Sequence, residues 1–483
     1  MSAASIPETA RTAKTVVIVG GGFSGALFAL KLHLKCPGWR IVIAEPKRHL
    51  GRGVAYGACG PGHLLNVPVS RMEIGLKPSF ADWLHHRRSS IADALVESGL
   101  DLAAAFVPRR LFGEYVGERV NEALDSRSLA GLSSVRGEVV RLLNDERGVL
   151  LTDGRQIRAD IVVLAMGNLP PRPPGGPDAW LYDSGFFIPD PWAMDAFSDV
   201  DPAEPLLLIG SGLTTVDVAL RLNQQGHRGP LLAVSRRGLT PQTHVAGGTW
   251  PEFLHDKIPA SARTLTRLVR QQIALAAERG VPWQRVFDAA RPAVPSIWNG
   301  WNSFSRRQFL RHLRPRWDIH RHRMAPRVSD AFGALQTSGA LEVASGRVGG
   351  YRPAGRFIDV TLRLRGGATR IFTAGHIVNC TGPGGDFAKI AVPLIAELRD
   401  RNLAVPDPLG VGLETRDCAV IDQAGEPSSW LFALGPLTRP AWWEITAVPE
   451  INLQIDRLVA QLTSPVTALR LTASDFMDMG GGI

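Results

Sequence analysis

The sequence predicts an α/β chain in which one structural plan is used twice, and three observations carry that expectation. "TVVIVGGGFSGALFAL", from Thr15, joins a β-branched run to a glycine turn and an Ala/Leu-rich stretch, and "LLLIGSGLTTVDVAL", from Leu206, repeats that order. Each copy is followed by an alternating, hairpin-like stretch that closes on a buried run and a small-residue exit, Ala165-Met166-Gly167 and then Cys380-Thr381-Gly382. Between Pro241 and Val328 the pattern changes to helical spacing, as in "SARTLTRLVRQQIALAAERG", "WQRVFDAARP" and "SRRQFLRHLRPRW". The predicted fold is two Rossmann-like dinucleotide-binding domains of the three-layer ββα type, with a helical insertion in the second.

A length of 483 residues accommodates two to three domains, and 45% hydrophobic with 20% charged residues is the balance of a soluble globular protein. No apolar run approaches a membrane span. "MSAASIPETARTAK" lacks an apolar signal core, so it reads as a loose lead-in to a cytoplasmic protein, and the closing "MGGGI" as a frayed tail. The net charge of +9 is concentrated in "RRQFLRHLRPRWDIHRHRMAPR", Arg306 to Arg327. Cys36, Cys59, Cys380 and Cys418 form no C-x-x-C pair, which removes the support for zinc sites and dithiol redox centres.

In the first unit Thr15 to Val19 reads as a buried parallel strand, too short for a helix. Gly20 permits the tight turn after it, Gly22 lets the backbone approach a pyrophosphate, and Gly25 lets helix and strand pack closely. Phe23 and Ser24 open the helix, whose unpaired N–H groups and positive dipole end face the phosphates. "IVIAE" supplies a second strand ending at Glu45, twenty residues past Gly25, where a carboxylate accepts both ribose hydroxyls.

Adding 190 to each number locates the second unit. Gly20 maps to Gly210, Gly22 to Gly212, Gly25 to Thr215 and Glu45 to Ser235. Leu213 and Thr214 open the second helix, and Thr215 is expected to widen the helix–strand contact. With Ser235 in place of the acid nothing repels a 2′-phosphate, and Arg236 and Arg237 follow as planar forks suited to binding it. This unit is therefore expected to hold NADPH, whereas the Glu45 unit holds a nucleotide with a free 2′-hydroxyl. The other reading leaves Arg236 and Arg237 as solvated strand-end charges. Gly167 and Thr381, at the two exits, are placed beside the respective cofactors. Proline-rich "NLPPRPPGGPDAW" reads as the crossing linker. The expected division is 1–168 and 381–483 for a discontinuous FAD unit, with 169–380 for the NADPH unit and its insertion at about 241–328. Two dinucleotide sites on one chain imply a relay in which NADPH delivers hydride and FAD receives it.

The stretches "GGGFSG", "GRGVAYG" with "HLLNVP", "FVPRRLFGEYV", "GSGLTTVD", "SRRG", "FLRHLRPRWDIHRHRMAP", "NCTGP" and "ALGPLTRPAWWEITAVPEI" span almost the whole chain. In them the sequence resembles two-dinucleotide-domain flavoproteins, closely a family of FAD/NAD(P)-binding proteins that includes bacterial FAD-dependent urate hydroxylases. More widely it is similar to flavin-dependent N-hydroxylating and Baeyer–Villiger-type monooxygenases. The resemblance implies that Arg52, Tyr56, Leu65, Asn66 and Val67 lie along the FAD, that the Val139 backbone meets the adenine, and that Gly435 and a helix starting near Ile445 approach the flavin ring. It makes Asn66 a candidate catalytic residue.

Glu444, beside Trp442 and Trp443, is the candidate general acid/base, because a carboxyl among aromatics tends to have a raised pKa; the other reading makes it a partner for an arginine. His244 either touches NADPH or packs in the core. The "HRHR" of His320 to Arg323 mimics a metal cluster, but interleaved arginines would repel a cation, so no metal is expected. The basic run matches no nucleic-acid fold and reads as an arginine network that holds the insertion and draws in NADPH or an anionic substrate. The leading expectation is an FAD- and NADPH-dependent monooxygenase that uses molecular oxygen, through an oxygenated flavin, to hydroxylate a small anionic or nitrogen-containing molecule. A flavin-dependent reductase or dehydrogenase without oxygen insertion, and a redox-sensing flavin binder, remain open. Neither a nucleic-acid nor a membrane partner is expected.

Overall fold

A computed structural model describes residues 13–60, 62–126, 131–144, 147–174, 179–254 and 258–464. All but two residues of the expected lead-in, all of the "MGGGI" tail and residues 175–178 of the expected linker lie outside them. The duplicated elements are β1 (Thr15–Val19), α1 (Phe23–Lys35) and β2 (Arg40–Glu45), then β3 (Leu206–Ile209), α2 (Leu213–Gln224) and β4 (Leu231–Ser235); α3 (Val448–Thr463) is the last helix described.

The first sheet has seven strands in the order Thr415–Arg416, Ala419–Ile421, Pro427–Ala433, Ile161–Leu164, β1, β2 and Leu132–Arg136. Its central strands are parallel: Val17 pairs with Val42 on one side and Val162 on the other, and Val162 in turn with Leu431. Alternate residues of β1 point to opposite faces. Val16 and Ile18 pack with α1, α3 and the helix Arg109–Asp125. Val17 and Val19 pack toward a three-stranded antiparallel sheet of Val139–Leu142, Gly148–Leu151 and Gln156–Arg158. Both faces are covered, which explains why these strands are continuous apolar runs.

The second sheet also has seven strands, in the order Thr369–Ala374, Phe357–Leu364, Leu341–Ala354, β4, β3, His376–Asn379 and Phe187–Ile188. Here the strand Leu341–Ala354 serves two partners: its first residues run parallel to β4, Leu341 opposite Leu231, and from Gly346 it runs antiparallel to Phe357–Leu364, with a register shift after Val348. The hairpin that forms a separate layer in the first unit is thus continuous with the main sheet in the second.

The expected insertion helices are present as Ala262–Glu278, Trp283–Ala290 and Ser303–Gln308, the last running through a π-turn, Phe309–Leu313, into Arg314–Arg321, and Val294–Gly300 adds a helix that was not expected. Pro315 sits in the first turn of the helix Arg314–Arg321. The apolar faces of these helices enclose Trp298, Trp301, Phe309 and Trp317, and Trp443 from the C-terminal segment completes the cluster. Trp298 and Trp443 stack at 4.3 Å, and Trp298 Nε1 donates to the Pro440 carbonyl at 2.8 Å. The insertion is therefore docked on the segment that completes the first unit.

Candidate functional site

The two glycine turns have the same geometry. Gly20 and Gly210 hold left-handed φ values of +104° and +127°, and a Cβ there would lie 2.5 Å from the Ala165 carbonyl oxygen and 2.2 Å from that of Cys380. Each turn is thus locked against the exit strand of its own unit, which is why the exits recur with the turns. A Cβ on Gly25 would lie 1.9 Å from the Gly20 oxygen, so α1 is seated as closely as the backbone allows. Thr215 occupies the same place in the second unit and is buried.

A groove runs past the first turn, lined by Gly20, Gly22, Phe23, Ser24, Glu45, Arg52, Tyr56, Val139 and Gly167. Glu45 Oε2 accepts the Gly21 N–H at 2.7 Å and Oε1 that of Lys47 at 3.0 Å, leaving lone pairs for a ligand. A Cβ on Gly22 would protrude to 3.3 Å from the Gly53 Cα, across the space a phosphate needs. The cradle and the helix start fit the pyrophosphate and ribose of FAD.

Next to the groove is a cavity of about 410 Å³, lined from both units: Leu65, Asn66 and Val67 from the first, Leu213 and Thr214 from the second. Tyr56, Thr446 and Val448 face both spaces. Among the described residues the Asn66 side chain has no partner, and its backbone carbonyl accepts from His244 Nε2 at 2.8 Å. Burial, reinforced by Arg323, pushes the His244 pKa down to about 4, so the ring is neutral and donates from the Nε2 tautomer. It also packs on Phe106 at 5.3 Å. His244 thus binds across the seam between the units. Arg109 holds the same seam through a two-pronged pair with Asp217, 3.0 and 3.3 Å.

A third pocket lies at the end of β4, lined by Arg236, Arg237, His312, Arg316 and Arg365. Arg237 donates to the carbonyls of His312 at 2.7 Å and Arg311 at 3.1 Å. No carboxylate among the described residues pairs with Arg236, Arg237, Arg316 or Arg365. Guanidinium groups that converge without a carboxylate have the chemistry to receive an anion. Gly212 caps α2 beside open space, with nothing within 4 Å of a Cβ built on it. Both features fit the phosphates of NADPH. Arg316 and Arg365 were not singled out in the sequence; Arg316 lay inside a basic run read only as a whole, and Arg365 had no local signal.

Four expected site residues lie elsewhere. Glu444 is the main correction. Burial alone would raise its pKa, but Arg321, His322, the Trp317 indole N–H (2.8 Å) and Arg291 outweigh burial and hold it below the usual carboxylate value. Arg321 Nε lies 2.9 Å from Glu444 Oε2, outside hydrogen-bond alignment, so the pair is held by charge. Glu444 is an ionised structural partner for an arginine. Ile445 is buried in the core, and the helix starts three residues later, with Thr446 and Val448 on the groove in its place. Thr381 lines none of the three spaces; its hydroxyl donates to Asn379 Oδ1 at 2.7 Å. Gly435 packs behind the groove at φ +73°, donating to Gln454 Oε1 at 2.8 Å, and its neighbour Pro436 reaches the lining. In "HRHR", His320 stacks on Phe287 at 5.1 Å, and His322 faces the central cavity with its pKa lowered by burial and Arg321. Among the described residues no three His, Cys, Asp or Glu gather to hold a metal, and no helix is long and apolar enough to cross a membrane.

Residues 17–169 match the family model described as FAD-NAD(P)-binding. No curated protein sequence matches the chain. Among solved structures, it is similar to the Kutzneria sp. 744 ornithine N-hydroxylase solved with reduced FAD, NADP+ and L-ornithine, at 15% identity and a TM-score of 0.62 over 93% of this chain and 99% of that one. It is also similar to L-lysine 6-monooxygenase from Pseudomonas syringae, at 16% identity and a TM-score of 0.62 over 93% and 99% of the two chains. The FAD-bound cadaverine monooxygenase from Erwinia amylovora aligns at 12% identity with a TM-score of 0.60 over 96% and 98%. The chain has the fold of these hydroxylases and monooxygenases, and its first 150 or so described residues carry the FAD-NAD(P)-binding match.

Proposed function

We propose that the protein is an FAD- and NADPH-dependent monooxygenase that hydroxylates a small molecule. The observation that supports this most directly is the shared cavity: the groove at the first glycine turn and the opening of α2 at the second both face one 410 Å³ space, large enough for a small substrate between two cofactors. The solved structures named for N-hydroxylation share this fold from end to end, which supports a nitrogen-containing substrate. The sequence resemblance to a family that includes urate hydroxylases widens the class to anionic molecules.

In this reading Gly22 and the start of α1 bind the FAD pyrophosphate, Glu45 accepts from the ribose hydroxyls, and Val139 bounds the adenine end. The Gly212 turn takes the NADPH pyrophosphate, and Arg236, Arg237, Arg316 and Arg365 take the 2′-phosphate. Bound FAD and NADPH supply the redox chemistry that activates oxygen. The protein's part in the cavity is to exclude water and to hold the substrate against Asn66, whose free amide can donate or accept. The positive end of α3, behind Thr446 and Val448, favours negative charge at the groove.

The FAD unit is discontinuous in this reading, 1–168 with 381–483, because the strand Pro427–Ala433 completes the sheet begun by β1. A stable, flavin-loaded fragment lacking everything after Gly382 would overturn that division. The activity is tested by mixing the NADPH-reduced protein with aerated buffer. A spectral transient that precedes the oxidised flavin supports oxygen insertion. Single-step return with one peroxide per flavin makes the protein a reductase.

A further inference from the structure

We propose that the central cavity binds its substrate through a carboxylate, and that Arg323 is the residue that receives it; this rests on the monooxygenase reading for the word substrate, but not for the anion site. Arg323 is 3% exposed and lines the cavity. Its Nη2 donates to Asp288, which fixes the guanidinium in place. Its Nε and Nη1 are buried with no hydrogen-bond partner among the described residues. Buried donors left unpaired are costly, and those of an ionised group more so than those of a neutral one. An acceptor on the cavity side removes that cost. The group is ordered before the ligand arrives, so little side-chain entropy is lost on binding.

The charge around the cavity points the same way. Asp288 is shared between Arg285 and Arg323, and Glu450 between Arg291 and Arg321. Arg321 also faces Glu444, and Arg109 is matched by Asp217. Arg71 lines the cavity with no carboxylate partner among the described residues. Six arginines therefore face four carboxylates. His244 and His322 add nothing at neutral pH, since burial lowers both pKa values. The excess of two positive charges repels a diamine and attracts an anion. Dicarboxylates and aromatic acids of five to seven carbons are of a size the cavity admits.

The competing source of negative charge is the NADPH pyrophosphate, since Leu213 and Thr214 line the same cavity. The test uses the full-length, FAD-loaded protein without NADPH, at constant ionic strength. Flavin difference spectra are recorded with two size-matched pairs: glutarate against cadaverine, and benzoate against benzylamine. At least one acid should saturate and neither amine should, and Arg323→Gln should weaken the acid at least tenfold, with Arg323→Lys between. Arg71→Gln, at an exposed position that need not disturb folding, should weaken it severalfold. Flat titrations with both acids, tighter binding of either amine, or unchanged acid binding in both glutamine variants would overturn the proposal. So would a loss of NADP+ affinity in Arg323→Gln that matches the loss for the acid, because the site would then belong to the pyrophosphate. Flavin reduction by NADPH in the unaltered protein is read separately. If it fails while the acids bind, the monooxygenase reading falls and the anion site stands.

Discussion

Glu45 and Ser235 occupy the same place in the two units, and the hydrogen bonds around them show how one frame is adapted to two nucleotides. At the end of β2 the Glu45 carboxylate accepts the Gly21 N–H at 2.7 Å. At the end of β4 the Ser235 hydroxyl lies 2.8 Å from that of Ser211, the residue equivalent to Gly21, and accepts the Gly238 N–H at 3.0 Å. Ser211 in turn donates to the Leu239 carbonyl at 2.6 Å. The serine pair thus ties the turn to the loop after β4, at Gly238 and Leu239, without bringing a negative charge. Four arginines can then converge beyond it with no acid among them. A carboxylate at 235 would have set a negative charge beside that cluster. The backbone frame is common to both units, and what differs is the side chain at the strand end.

The largest effect that can break this comparison is at the second glycine of each turn. Gly22→Val should abolish flavin loading, since the side chain fills the phosphate's space. Gly212→Val should leave the protein yellow and remove NADPH-dependent reduction. Flavin absorbance of the purified variants reads the first and anaerobic reduction the second. A yellow Gly22→Val protein would mean that the groove is not the FAD site.

Nucleotide choice comes next. Charged hydrogen bonds contribute ~1.5–3 kcal/mol each, so replacing Arg236 and Arg237 by alanine should cost on the order of a hundredfold or more in NADPH preference. Arg316→Ala should add to the loss, because it faces the same pocket from the insertion. Ser235→Glu should reverse the preference by repelling the phosphate and accepting the ribose hydroxyls of NADH. The measurement is the ratio of kcat/KM values for the two nucleotides. A ratio that stays at the unaltered value makes the arginines bystanders.

The seam between the units has its own signature in pH. His244 titrates at 6.5 in the unfolded chain and at about 4 when folded. The unfolded chain takes up the proton first, so the stability held by neutral His244 is complete above pH 6.5 and is lost as pH falls toward 4. Between pH 7.5 and 4.5 that loss should come to roughly 2–3 kcal/mol. His244→Gln keeps a donor to Asn66 and does not titrate, so its denaturation free energy should fall by that much less over the same range. Parallel curves would show that His244 is solvated and does not bridge the units.

What could be read beforehand follows from how local each signal is. The glycines, Glu45 and Ser235 were legible because a turn, a close backbone approach and a strand end each demand a particular residue at a fixed spacing. Gly167 was legible because the exits repeat with the turns, and Val139 only through the family resemblance. Glu444 was misjudged because its sequence neighbours, Trp442 and Trp443, suggested an apolar setting. The deciding partner, Arg321, is 123 positions away and meets it only when the insertion docks. The run that holds Arg323 was legible as an arginine network, but which donors are spare was not: Arg71, Arg109, Arg285 and Arg323 come from four distant segments, and only their pairing with Asp217 and Asp288 distinguishes the spare donors from the satisfied ones.

The smallest expected effect sharpens the comparison most, because it separates spacing from chemistry. Thr215 stands where the first unit has Gly25, and its side chain is buried between α2 and its sheet. If α2 is already seated at the wider distance, Thr215→Gly restores the common motif and gains nothing. It removes buried methyl and hydroxyl groups and lowers helix propensity, so it should destabilise the protein by about 1–2 kcal/mol. Flavin content and NADPH preference should not move, because neither the Gly212 turn nor the arginine pocket depends on that side chain. The reverse change, Gly25→Thr, should prevent the first unit from folding, since its Cβ would lie 1.9 Å from the Gly20 oxygen. Guanidinium denaturation of the first variant and flavin loading of the second give the two readings. Should Thr215→Gly stabilise the protein and tighten NADPH binding, α2 would be shown to relax inward when allowed. The two units would then share one spacing, and the threonine would be a strain held in the second.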